Sequence, residues 1–228
     1  MTSRSAQRRS SNLVRDAHEP SKPKWLLPAI VIGVVAIAAI LAIAIAGRGK
    51  KAADTGGLQQ VQPVEVSGTP LPTLSDPNND AAVGMTIPTI TGKSFDGTPV
   101  TIAPTGSPQL ILFVAHWCPH CQREVPLLSD WMKQGSMPAG VQLTTVATGT
   151  SADAPNYPPS AWLQKNDWPS PIMADSTNSD AAQAMGLPGY PYFVLVDGDG
   201  KVVARTSGEI STDQLETMLK SLVAQSNG

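Results

Sequence analysis

Two kinds of apolar run organise this chain. The first is unbroken: Leu26 to Ala46 holds no charged or strongly polar side chain. As a helix rising 1.5 Å per residue it would span roughly 31 Å, about one bilayer core. The second kind is short and recurs beyond residue 80. Leu110 to Ala115 is continuously apolar, as expected of a central strand covered on both faces. Val141 to Ala147 predicts a second buried strand, and Pro171 to Ala174 a third, short one. Met85 to Ile90 and Pro99 to Ile102 flank Gly92 and Asp96-Gly97 and predict an N-terminal hairpin. Tyr192 to Val196 and Lys201 to Arg205 surround Asp197-Gly198-Asp199-Gly200 and predict another.

Helical spacing fills the gaps. Val125, Leu128 and Met132 place a helix over about 119–134. Shorter helices are predicted at 160–167 and 179–185. The last helix is the clearest. Leu215, Met218, Leu219, Leu222 and Val223 form one apolar face, and Ser211 with Gln214 makes a capping-box pattern before it. Strands alternating with helices and closing in a hairpin and a helix predict an α/β sandwich over 81–228. Residues 47–80 are punctuated by Gly56, Gly57, Pro63, Gly68, Pro70, Pro72 and Pro77, and read as a flexible linker.

Charge orients the apolar segment. Arg4, Arg8, Arg9, Arg15, Lys22 and Lys24 precede it, and Arg48, Lys50 and Lys51 follow. This basic excess predicts a cytoplasmic tail over 1–24, a transmembrane signal anchor over 25–46 with Trp25 at the interface, and an extracytoplasmic domain beyond. Ala44-Ile45-Ala46 leaves a cleaved signal peptide as the alternative. From residue 52 onward seven Lys and Arg face sixteen Asp and Glu. So acidic a domain repels phosphate backbones, which excludes nucleic acid as the expected partner. With 21 prolines in 228 residues and 15% charged residues, a coiled coil or a charged disordered chain is excluded.

Two cysteines, Cys118 and Cys121, exclude a disulfide-rich scaffold and a four-cysteine zinc site. A C-x-x-C between a buried strand and a helix is the redox reading of paired cysteines. Cys118 would sit at the helix N-terminus, where unpaired N–H groups favour a thiolate, with Cys121 one turn on and Pro119 in the first turn. Two other readings stay open: a structural disulfide, and a metal-binding module or metallochaperone using His116, Cys118, His120 and Cys121. The aspartates of 197–200 also suggest a calcium loop, but its third ligand and terminal Glu are missing.

The segment Phe113-Val114-Ala115-His116-Trp117-Cys118-Pro119-His120-Cys121, with Pro126 five residues on, resembles the active-site segment of the thioredoxin superfamily. Gly189-Tyr190-Pro191-Tyr192-Phe193 resembles that family's cis-proline loop. The resemblance covers about 81–228. It implies a thioredoxin-like sandwich, a central mixed sheet flanked by helices. It implies catalytic roles for Cys118, Cys121, His120 and Pro191, and a substrate groove with Trp117, Tyr190 and Pro119. No cofactor and no metal are expected. Trp131, Trp162 and Trp168 read as packing residues.

Anchor, linker and N-terminal hairpin resemble the membrane-anchored TlpA-like thioredoxins, which are usually reductants. Pro119-His120 instead resembles DsbA-type oxidases, in which the histidine favours the reduced thiolate. Where thioredoxins carry a buried aspartate six residues before the first cysteine, this chain has Leu112, so the proton of Cys121 needs another route, such as water. The expected function is a membrane-tethered extracytoplasmic thiol–disulfide oxidoreductase. Its partners would be protein thiols and disulfides and an unidentified membrane redox partner. Oxidation or isomerisation is slightly favoured; the alternative is a TlpA-like reductase serving, for example, cytochrome or metalloprotein assembly.

Overall fold

The computed structural model describes residues 55–226. The expected anchor over 25–46 lies outside them, as does the start of the linker, 47–54. No helix among the described residues is long and apolar enough to cross a membrane.

The strands are β1 (Glu65–Ser67), β2 (Thr89–Lys93), β3 (Pro99–Ile102), β4 (Gln109–Val114), β5 (Gln142–Ala147), β6 (Ile172–Ala174), β7 (Tyr192–Val196) and β8 (Val202–Ser207). The helices are α1 (Pro119–Lys133), α2 (Pro159–Lys165), α3 (Asp180–Ala184) and α4 (Thr212–Ser226). They build one mixed sheet in the order β1-β2-β6-β5-β4-β7-β8, with β3 paired to β2. β4 runs parallel to β5 and antiparallel to β7, and β5 runs parallel to β6. Every residue of β4 is buried, as its unbroken apolar run predicts. The mixed α/β sandwich expected from the sequence is therefore the fold observed.

β4 divides its side chains between two cores. Leu110, Leu112 and Val114 pack with Val125 and Leu128 of α1 and Leu215, Leu219 and Leu222 of α4. Trp131, Trp162 and Trp168 pack in this same core. Ile111 and Phe113 point the other way, onto Met173, Ala181 and Met185. The only described helix in this second core is the five-residue α3, which is too short to cover the face. The remainder is covered by chain expected to be linker.

The expectation of a flexible linker over 47–80 is thus corrected within the described residues. Leu71 and Leu74 are 3% and 5% exposed and join the second core with Ala82 and Ile87. Burying two leucines contributes about 3–6 kcal/mol. The backbone is tied down as well: Leu71 N–H donates to Ala184 O at 2.9 Å and Leu74 N–H to Gly186 O at 3.0 Å. Earlier on the arm, Gln59 N–H donates to Phe95 O, and the Gln60 side chain accepts from Ser160 N–H. Isolated leucines between prolines show no period of 2 or 3.6, so the pattern concealed this packing.

A buried ion pair fixes the arm. Arg205 of β8 faces the second core with its side chain fully buried against that of Asp80. Its Nε donates to Asp80 Oδ2 at 2.8 Å, and Nη1 donates to Pro72 O at 2.9 Å and Met185 O at 3.0 Å. One guanidinium therefore joins the arm, β8 and the end of α3.

The first hairpin pairs Thr89–Lys93 with Pro99–Ile102, later than the expected Met85–Ile90 strand. The stretch before it is drawn to β8 instead: Val202 N–H donates to Met85 O and Ile87 N–H to Gly200 O. At the second hairpin Asp197 Oδ1 accepts from Asp199 N–H and Lys201 N–H, so its carboxylate serves its own turn. The capping box forms as expected: Gln214 N–H donates to Ser211 Oγ at 3.2 Å, and Ser211 N–H to Gln214 Oε1 at 3.0 Å.

Candidate active site

The C-x-x-C pair lies where β4 runs into α1. Cys118 is the N-cap of α1, in extended conformation, with Pro119 at the first helical position. Its own N–H donates to Ala115 O at 3.0 Å, closing the turn that aims the sulfur across the sheet end. Cys118 Sγ lies 3.8 Å from Tyr190 O, the carbonyl just before Pro191. The Tyr190–Pro191 bond is cis, as the resemblance implied. Cys118 is 6% exposed and Cys121 is sealed at 0%. Both are free thiols here. Cys121 Sγ accepts from Ala115 N–H at 3.5 Å. Burial pushes the Cys121 thiol far above its ordinary range.

Trp117 and Tyr190 form the wall beside the sulfur. Their rings meet edge-on with centroids 5.6 Å apart, and Trp117 Nε1 donates to Gly149 O at 2.7 Å. Gly149 is needed there. It sits at φ +60°, and a Cβ would come within 2.8 Å of the Tyr190 hydroxyl. The residues expected to form the groove, Trp117, Tyr190 and Pro119, thus come together with Cys118 and Pro191.

His116 is placed apart from the sulfurs. It is buried, with Nδ1 2.7 Å from Pro155 O, while Nε2 accepts from Ser151 N–H at 3.2 Å. Those partners require the neutral ring with its proton on Nδ1, and burial lowers its pKa to match. His116 thereby pins the 151–156 loop beside the groove. Among the described residues, no three His, Cys, Asp or Glu side chains are grouped to hold a metal ion. Of the four residues of the metal-binding alternative, His116 is turned to Pro155 and Ser151 and His120 to Glu209 rather than to the two sulfurs.

His120 follows Pro119 on the exposed rim. Its Nδ1 lies 2.5 Å from Glu209 Oε1, in the loop between β8 and α4. Arg123, one turn further along α1, also binds Glu209, its Nε donating to Oε1 at 3.1 Å. Arg123 first, and His120 second, hold the Glu209 carboxyl below its usual range. The imidazole's hydrogen bonds are thus made on the side of Glu209 and Arg123, whereas the resemblance implied service to the Cys118 sulfur.

Glu124 is a candidate site residue that sequence reasoning missed. It lies on α1 three residues after Cys121, among Val125 and Leu128, and is 2% exposed. A carboxylate on the apolar face of an amphipathic helix was the available signal. Burial raises its pKa, partly opposed by the Ile210 N–H that donates to Oε1 at 3.3 Å. The Glu124 charge in turn adds a little to the raising of Cys121. A cleft of about 460 Å³, lined by Glu124, Leu127, Trp131 and Ile210 among others, lies beside it.

Comparison with known proteins agrees with this arrangement. The Redoxin family model matches residues 82–222. Thiol-disulfide oxidoreductase ResA from Bacillus thuringiensis subsp. konkukian is 26% identical over 110 residues, 48% of this chain and 60% of the relative. ResA from Bacillus cereus matches to the same extent. The chain therefore spans 60% of the length of the curated relatives it matches. A thioredoxin-family thiol:disulfide interchange protein from Chlorobium tepidum superposes with a TM-score of 0.51 at 21% identity, over 64% of this chain and 99% of the other. That likeness establishes the fold.

Proposed function

Because the chain belongs to the Redoxin family, we propose that it is a thiol–disulfide oxidoreductase that exchanges disulfides with protein substrates through Cys118 and Cys121. The observation that carries this reading is the pairing of a helix-capping, slightly exposed Cys118 with a sealed Cys121 beside a buried carboxylate. The Cys118 thiolate attacks a substrate disulfide, and the first substrate thiolate leaves as the mixed disulfide forms. The Cys121 thiol then gives its proton to Glu124, and its sulfur attacks Cys118 Sγ. The mixed disulfide breaks, and the second substrate sulfur leaves. Two electrons have passed to the substrate, and Cys118 and Cys121 are joined.

Glu124 fills the role for which Leu112 left a vacancy. Its raised pKa makes it a better proton acceptor for so weakly acidic a thiol. Purified reduced protein should therefore reduce a model protein disulfide, and Glu124→Gln should slow the second step about a hundredfold. In the wild type that step should slow as pH falls through the Glu124 value, since the protonated carboxyl cannot accept. The glutamine variant should lack that limb of the profile. Equal rates and profiles in the two proteins would remove Glu124 from the mechanism.

We infer further that the domain is tethered outside the cytoplasm by residues 25–46 and acts as a reductant, with a membrane redox partner to recharge it. The basic residues before the apolar segment support the tether. The engagement of His120 by Glu209 supports reduction, since it leaves the DsbA-like histidine occupied elsewhere. The oxidase reading rests on the Pro119-His120 pair, which resembles the active site of DsbA-type oxidases. Protease added to wall-stripped cells should degrade the domain, and alkaline washing should leave the intact chain in the membrane. Protection from the protease would overturn the assigned side.

A further inference from the structure

The rim of the site carries a charge arrangement that the exchange chemistry above does not use. Two positively charged or chargeable side chains, His120 and Arg123, stand on the first two turns of the helix that Cys118 caps. Left to themselves, both would lie where positive charge favours a Cys118 thiolate. Instead both converge on Glu209, which reaches in from the far end of the sequence. His120 Nδ1 is 2.5 Å from Oε1, and Arg123 Nε is 3.1 Å from Oε1 and 3.3 Å from Oε2. Arg123 Nη2 also approaches the same Oε1. A single carboxylate thus collects both side chains.

We propose that Glu209 is a positioning residue that sets the electron-donating character of the Cys118–Cys121 pair, by turning His120 and Arg123 onto its own carboxylate and withholding their charge from Cys118. The proposal rests on the thiol–disulfide function proposed above. Only the reduced state can carry a thiolate, so nearby positive charge stabilises the dithiol over the disulfide and makes the pair more oxidising. Negative charge from Glu209 opposes this and keeps the pair a donor. The Arg123 guanidinium is held chiefly by Glu209, with a smaller through-space attraction to Cys118. His120 and Arg123 have side chains 57% and 55% exposed, so these interactions take place in water and salt should weaken them.

The test is equilibration with glutathione. Two glutathione thiols reduce the Cys118–Cys121 disulfide, giving the dithiol and one glutathione disulfide. Glu209→Gln should raise the constant for that reduction about fivefold, the scale of a partly exposed charge interaction. Alkylation of Cys118 at pH 6 should quicken in parallel. Glu209→Asp should return both readouts most of the way to wild type. Adding Arg123→Ala to Glu209→Gln should cancel the gain, and 1 M salt should shrink it. A residue that only ties the loop to α1 would move neither the equilibrium nor its salt dependence. An unchanged constant in Glu209→Gln, or a shift toward the disulfide, would overturn the proposal while leaving the exchange function standing. Cysteines that never pair in the wild type would overturn that function, and this proposal with it.

Discussion

Cys121→Ser should convert the protein from a turnover catalyst into a trap. Substrates should accumulate as mixed disulfides on Cys118, and turnover should fall to background, a loss of several orders of magnitude. The asymmetry follows from position. Cys118 keeps a little exposure, caps α1 and faces the Tyr190 carbonyl. Cys121 has no exposure, and burial holds its thiol strongly protonated. It can attack only a sulfur delivered to it by Cys118. Cys118→Ser should therefore form no covalent complexes at all. Non-reducing electrophoresis after mixing with a disulfide-bonded protein reads both outcomes. Complexes confined to Cys118→Ser would reverse the two roles.

The second large effect concerns stability. Asp80→Ala should destabilise the domain by about 3–5 kcal/mol, because the fully buried Arg205 guanidinium would be left without its counter-charge. For a domain of this size that lowers Tm by roughly 10 °C or more. Asp80→Leu combined with Arg205→Met should recover much of the loss, since an apolar pair removes both buried charges. Acid should act in the same sense. Arg205 holds the Asp80 carboxyl below its ordinary range, so the pair's contribution is whole above the unfolded-state value near 4. It is lost as pH falls through the lower folded-state value. Thermal melts of the variants at neutral pH and at about pH 3 measure both effects. An Asp80→Ala protein as stable as wild type would mean that Arg205 finds other partners.

How far the sequence was legible depends on how local each signal was. β4 announces itself by the apolar run from Leu110 to Ala115, and α4 by its period and its Ser211–Gln214 cap. Cys118 and Cys121 are readable because their chemistry needs only one turn of chain. The Tyr190 loop was reached through a resemblance, since nothing local brings residues 118 and 190 together. The failures are long-range and polar. Arg205 and Asp80 look like ordinary surface charges until β8 meets the arm 125 residues away. Glu209 looks solvated until α1 and α4 bring it to His120 and Arg123. Glu124 was legible in principle, as a charge on an apolar helical face three residues past Cys121.

The packing of the N-terminal arm sets how much slack a tether could have. With 55–80 taken into the domain, only residues 47–54 remain between it and the anchor proposed above. Eight residues span at most about 28 Å even when fully extended. Were that anchor in place, a leash so short would turn encounter with partners into a search over a surface rather than through a volume. Partners fixed in the same membrane would then be met repeatedly at high effective concentration, and proteins further out would have to come to the surface to be served.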